Sequence, residues 1–369
     1  MQRIVAVQYL RALAAMLVVI FHYANALRGE HALDVTTFRV GRWGVDIFFV
    51  ISGFIMWTIA EARPRSPGGF MRDRILRIAP MYWVATLVAA FVSTRGGLSL
   101  GLTVEWERLV RSLFFIPQWN PVNGTVSPVL TVGWTLIIEM SFYALFTLAL
   151  LFNKAWRLPL LTGSISLVAL SSLFAQGATH PAAELFARSM FFEFNLGILL
   201  AIAWRSGWFD RLGERPRWLL GAGLVALAFP LAFFLNERTG IRLLDFGVAA
   251  FLLCAGGLAL EPLARRRPIR PLLFLGAASY SIYLVHLMAM GPIEKIWPYA
   301  AVTGLPYVSL AAQCALAAGF GCLAYLAVEK PASRLLHRRF PGRFPGRPMG
   351  KIPDRGGSDS LMTESGEPE

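Results

Sequence analysis

The sequence predicts an all-α integral membrane protein: a bundle of about ten transmembrane helices with both termini cytoplasmic. Three observations lead there. Of the 369 residues, 56% are hydrophobic and 15% charged, with a mean hydropathy of +0.55, whereas an ordinary soluble domain carries about 25% charge. Mostly apolar stretches of about 20 residues, the length that crosses a hydrocarbon core, recur along the chain. Lys and Arg collect in alternate connecting segments, as cytoplasmic loops demand. The same composition excludes a disordered chain, which needs low hydrophobicity. It excludes a disulfide scaffold too: the three cysteines, Cys254, Cys314 and Cys322, lie in apolar runs and read as small core residues. The net charge of +13 would suggest nucleic acid in a soluble protein. Here it belongs to loop topology, and no nucleic-acid partner is expected.

The expected spans are 5–27, 43–60, 78–94, 134–153, 158–175, 189–204, 218–235, 243–260, 272–291 and 306–329. The first reads as a retained span rather than a cleaved signal, because Arg11 interrupts its apolar run and further spans follow. The second and fourth enter at Trp43 and Trp134, and the third follows a basic loop, FMRDRILRIAPMYW. With ten spans, the segments on the side of the termini hold 24 Lys and Arg against 10 on the other side, which places both termini in the cytoplasm. The longest outer loop, 95–133, contains WERLVRSLFFIPQWNP. This amphipathic, aromatic stretch predicts an interfacial or re-entrant helix, serving either as an anchor through Trp106 and Trp119 or as a lid over an outward-facing site. Residues 1–335 form the membrane domain. The stretch 336–369, rich in Pro, Gly, Ser and charge, is expected to be a disordered cytoplasmic tail.

Ionisable groups within a bilayer are costly unless paired or facing a cavity, so those present are the candidate site. Arg11 and His22 share the first span. Eleven residues give about 16 Å of rise and about 20° beyond three full turns, so both side chains fall on one face. Gln8 and Asn25 lie near the same stripe. His22 also has a plainer reading as a hydrogen-bonded core histidine, and Arg11 as a side chain reaching the headgroups. Asp46, Glu139 and His286 fall in the outer parts of their spans. Asp46 can pair with Arg42 at i,i+4, and His286 shares a face with Ser279 and Tyr283, a stripe that also suits helix–helix hydrogen bonding. On the inner side, Arg74 and Arg77 present two guanidiniums at i,i+3, a geometry suited to phosphate and equally to ordinary positive-inside anchoring. No metal-ligand spacing, P-loop or nucleophile elbow is present.

Seven landmarks in order resemble the membrane-bound acyltransferase family 3, bacterial O-acyltransferases of surface and secreted polysaccharides: VQYLRALAAMLVVIFHY, GVDIFFVISGFIM, FMRDRILRIAPMYW, SLFFIP, GWTLIIEMSFYALF, SYSIYLVH and VEKP. The opening looks most like the exopolysaccharide O-acetyltransferase branch. The resemblance spans roughly residues 3–335, with no hydrolase-like domain after the tenth span, and suggests that the membrane unit acts alone. It implies an enzyme of the bacterial inner membrane. Acetyl-CoA or another acyl-CoA would be the cytoplasmic donor substrate rather than a bound cofactor, and a polysaccharide hydroxyl the acceptor outside. It implies catalytic His22 and Glu139, donor-binding Arg11, Arg74 and Arg77, and acceptor-side or supporting Asp46, Tyr283 and His286. His22 would act as general base, with Glu139 orienting it, or would carry the acyl group itself; the sequence leaves both open. The competing expectation is a proton-coupled secondary transporter using the same intramembrane residues.

Overall fold

The computed structural model describes residues 4–27, 37–62, 66–94, 105–174, 179–186, 188–296 and 305–339. Among these the protein is helical, with one isolated antiparallel bridge between Trp119 and Val126. Seven helical stretches are long and apolar enough to cross a membrane: Val5–Ala26, Thr37–Ala62, Pro67–Ser93, Thr131–Ala149, Glu214–Leu235, Arg270–Lys295 and Pro306–Leu336. The three other expected spans are also helices, but shorter: α6 (Lys154–Leu170), α8 (Phe192–Arg205) and α10 (Val248–Ala259). Each is extended by a turn of different pitch: 3₁₀ after α6, 3₁₀ before α8, and a π turn, Leu243–Gly247, before α10. Leu243–Ala259, its π turn included, is apolar but shorter than a full span; the sequence therefore counts ten where length and composition support seven. The expected tail from 340 onward lies outside the described residues; the last helix, α14 (Lys330–Arg339), runs past the anticipated boundary at 335.

The basic loop before the third span is not a loop. Helix α3 is continuous over Pro67–Thr94. Pro67 suits a first helical turn, and Ser66 Oγ accepts from the Gly69 amide at 3.2 Å, so the helix starts three turns earlier than hydropathy suggests. Pro80 lies inside it without ending it.

Three packing features position the site. Helix α1 (Val5–Ala26) is capped from far away: its Val5 and Ala6 amides donate to the two carboxylate oxygens of Glu261 at 3.0 and 2.6 Å, a carboxylate at a helix N-terminus. Glu261 opens the short α11 (Glu261–Arg266), immediately before α12 (Arg270–Ile296). Helices α1 and α12 then cross at Gly276, where a Cβ would sit 2.1 Å from the Gln8 carbonyl oxygen. That backbone approach brings Arg11 to Ser279 and His22 to His286. Helix α2 (Trp43–Ala62) packs against α8 at an equally close crossing, Gly53 on the Phe194 carbonyl. Helices α3, α5 (Trp134–Ala149) and α14 close the remaining sides of a central space.

Candidate active site

A cavity of about 500 Å³ runs into the bundle between α1, α2, α3, α5, α12 and α14. Its lining includes Arg77 and Ser333, which are exposed, the half-buried Ile4 and Leu336, and the buried Asp73 and Arg74. Gln8, Arg11, Ser52, Glu139, Tyr143, Tyr280, Glu329, Phe48, Thr135 and Tyr283 line it as well. Apolar walls with a few convergent polar groups are the usual build of a small-molecule site.

Arg74 and Arg77 differ. Arg77 is exposed, whereas Arg74 is buried, with its guanidinium 5.8 Å from the centre of the Phe70 ring and Nη1 3.6 Å from Met56 Sδ. Both line the same cavity. Arg11 Nε donates to Ser279 Oγ at 3.2 Å, and Ser279 in turn donates to the Gly276 carbonyl at 3.0 Å. Ser279 therefore holds Nε of the guanidinium, and Arg11 shares the cavity lining with two carboxylates, Glu139 and Glu329. Glu139 Oε1 accepts from Ser52 Oγ at 3.1 Å and from the Tyr143 hydroxyl. Glu329, in the π turn Tyr325–Glu329, accepts from Ser281 at 2.6 Å.

The two histidines pair with each other. His286 is fully buried and its Nδ1 lies 2.7 Å from the Tyr283 carbonyl. A carbonyl only accepts, so Nδ1 carries the proton and Nε2 is an acceptor. His286 Nε2 lies 3.2 Å from His22 Nδ1, which is also 2.9 Å from the Val18 carbonyl. Both neighbours of His22 Nδ1 accept, so Nδ1 is protonated and the lone pair of His22 stands on Nε2. This tautomer follows from the network, not from observed protons. His22 keeps part of its surface accessible.

The structure thus joins Arg11, Arg74, Arg77, Glu139 and Tyr283 around one cavity and joins His22 to His286. Glu139 is hydrogen-bonded to Ser52 and Tyr143 and not to His22; the imidazole's partner is His286. Asp46 is fully buried and does not pair with Arg42: Arg242 grips it through two bonds of 2.8 Å, while Arg42 pairs with Glu237. A buried two-pronged pair of this kind acts as a structural clamp between α2 and the segment before α10. Sequence reasoning did not single out Ser52, Tyr143, Tyr280 or Glu329. All four lie within the quoted landmarks, but they are ordinary residues until packing turns them inward.

The segment from α4 to α5 is stitched into one body. Helix α4 (Trp106–Leu113) lies against α3, with the Tyr82 hydroxyl on the Ser112 carbonyl at 3.0 Å and Trp83 Nε1 on Leu113 at 2.8 Å. Ser112 Oγ accepts from Val129 N at 2.9 Å and Gln118 Nε2 at 2.8 Å, tying the stretch that leads to α5 back onto α4. Trp106 and Phe114 are largely exposed.

The sequence matches the acyltransferase domain family over residues 4–328. It is 36% identical to the exopolysaccharide production protein ExoZ of Rhizobium meliloti over 318 residues, covering 85% of this chain and 94% of that protein. It is 27% identical to the acyltransferase MdmB of Streptomyces mycarofaciens, covering 90% and 89% of the two chains. It is likewise 27% identical to nodulation protein 10 of Rhizobium leguminosarum bv. viciae, covering 85% and 87%. No solved structure is significantly similar to the chain.

Proposed function

We propose, from the premise that this chain belongs to the acyltransferase domain family, that it is an O-acyltransferase of the bacterial inner membrane, moving an acetyl or other acyl group from cytoplasmic acyl-CoA to a hydroxyl of a polysaccharide on the outer side. The name of ExoZ supports a polysaccharide acceptor. The observation that carries the reading is one cavity lined by Arg74, the exposed Arg77, Arg11 and Tyr283, whose ring centre lies 5.9 Å from that of His286 in the imidazole pair.

In this reading all ten helices cross or enter the bilayer and both termini are cytoplasmic. Arg77 and Arg74 hold the CoA phosphates, for which forked guanidiniums are suited. The thiol arm enters the cavity, Arg11 holds its polar groups from one side, and Glu139 is a fixed acceptor for an amide N–H. His22 Nε2 takes the acceptor's hydroxyl proton as its oxygen attacks the thioester carbon. The C–S bond breaks, an ester C–O bond forms, and the imidazolium returns the proton to the thiolate. His286 accepts from His22 Nδ1 throughout, doing for His22 what a carboxylate does in a hydrolytic triad, though without a full negative charge. This division of labour gives Glu139 to the donor and His286 to the base.

The test uses sealed, oriented vesicles bearing the polysaccharide, with acyl-CoA added to one face only. Acylation should require acyl-CoA on the face bearing Arg74 and Arg77. His22→Ala should abolish it while the protein still inserts, since a general base alone contributes roughly 100- to 10,000-fold. Transfer from acyl-CoA present only on the acceptor's side, or a His22→Ala protein with normal rates, would overturn the reading.

A further inference from the structure

Neither histidine is among the described residues lining the cavity, although the reaction proposed above needs the thioester at His22. Tyr283 belongs to the cavity lining and also touches the imidazole pair. Its ring meets Phe48, another lining residue, edge-on at 6.0 Å and His286 at 5.9 Å. Its hydroxyl is 2.8 Å from Thr135 Oγ1 and 3.2 Å from the Val132 carbonyl. Thr135 Oγ1 is also 3.0 Å from the Val132 carbonyl, which only accepts. The two hydroxyls therefore share their protons among themselves and that carbonyl. The ring is thus tied through its hydroxyl to the start of α5, while the backbone carbonyl of the same residue holds His286.

The start of α5 is where the segment from α4 arrives. Val129 is bonded to Ser112 of α4, and the 3₁₀ turn Thr131–Gly133 passes directly into α5. The side of the molecule that would meet a polysaccharide is therefore mechanically joined to a ring that lines the donor cavity.

We infer that Tyr283 is a partition that selects acceptor over water: clamped by Thr135 and Val132 it keeps the donor thioester away from His22, and movement of the outer segment on acceptor binding releases it. The inference rests on the acyltransferase reading and adds its regulation. Water competes with any hydroxyl for an activated thioester. Attack by water breaks the same C–S bond and yields a free carboxylic acid and CoA thiol, the water proton passing through His22 to sulfur. Excluding water until the proper substrate completes the site is a general means of suppressing that loss.

The experiment measures free CoA thiol from acetyl-CoA in vesicles with and without the polysaccharide. Tyr283→Phe keeps the ring and removes the clamp. Thr135→Val removes it from the other end with little change of shape. Both should release CoA without polysaccharide about tenfold faster than the parent protein, a shift of about 1.4 kcal/mol in the closed state, and His22→Ala added to either should abolish the leak. Wild-type leak rates in both clamp variants would overturn the inference, as would leak independent of His22. Failure of the parent protein to couple CoA release to polysaccharide acylation would instead overturn the underlying reading. Thermal melting of each variant identifies misfolding, and the two variants fail independently of each other.

Discussion

At the scale of single residues, the sequence reveals which groups are out of place in a bilayer but not whom they meet. Arg11 and His22 were legible as one polar face because both lie on α1, where helix geometry alone relates them. His22 and His286 are 264 positions apart, and Asp46 and Arg242 are 196 apart; such pairs exist only through packing. Arg42, the local candidate for Asp46, and Glu139, which the family resemblance suggested for His22, are not the hydrogen-bond partners observed. Two predictions follow from the observed ones. His286→Ala should lower kcat at unchanged donor KM, whereas His286→Gln should recover part of the rate, because a Gln amide oxygen can accept from His22 Nδ1. Equal losses in both, with matching losses of melting temperature, would reduce His286 to a packing residue. Arg77→Ala should raise the donor KM with little change in kcat, since an exposed phosphate contact is felt equally in ground and transition states. Arg74→Ala should also lower stability, because that side chain is buried against Phe70 and Met56. A collapse of kcat at unchanged KM in Arg77→Ala would show that the arginine acts on the chemistry and not on binding.

At the scale of elements, every expected span coincides with a helix, because apolar length is written in composition. Ends and pitch were not legible. The early start of α3 depends on Ser66 and Pro67, and the π turns before α10 and after α13 (Pro306–Ala324) have no hydropathy signature. Close crossings were hidden as well, since a glycine in a spanning helix looks the same whether or not a backbone lies against it. Gly276 and Gly319 illustrate the difference. A Cβ at Gly276 would stand 2.1 Å from the Gln8 carbonyl, whereas one at Gly319 on α13 meets nothing within 4 Å. Gly276→Ala should therefore push α1 off α12 and cost about 1–3 kcal/mol. It should also slow transfer, because Arg11–Ser279 and His22–His286 both span that crossing. Gly319→Ala should melt and turn over like the parent. Melting curves in detergent decide the matter: equal melting temperatures for the two variants would mean the crossing is soft.

At the scale of the whole molecule, the proposed reaction imposes a direction that the fold must satisfy. The cavity lining includes Arg74, the exposed Arg77 and Ala332, Ser333 and Leu336 of α14. The arginines of the proposed donor entry and α14, the last described helix, therefore stand beside one another. In the proposed reaction acyl-CoA comes from the cytoplasm, so α14 would belong to the cytoplasmic side. The positive-inside distribution, 24 Lys and Arg against 10, requires the same by an unrelated argument. With ten crossings, the proposed topology would put the N-terminus on that side too and turn the α4 segment, where Trp106 is exposed, outward. A fluorescent protein fused after Glu369 should glow and an alkaline phosphatase fused there should be inactive, while phosphatase inserted at Asn123, at the exposed tip of the outer segment, should be active. Active phosphatase at the C-terminus would break the link between these arginines and the donor side, and with it the proposed direction of transfer. If only seven helices crossed, the two termini would lie on opposite faces. Fusions at both ends thus test the count and the orientation together, without reference to activity.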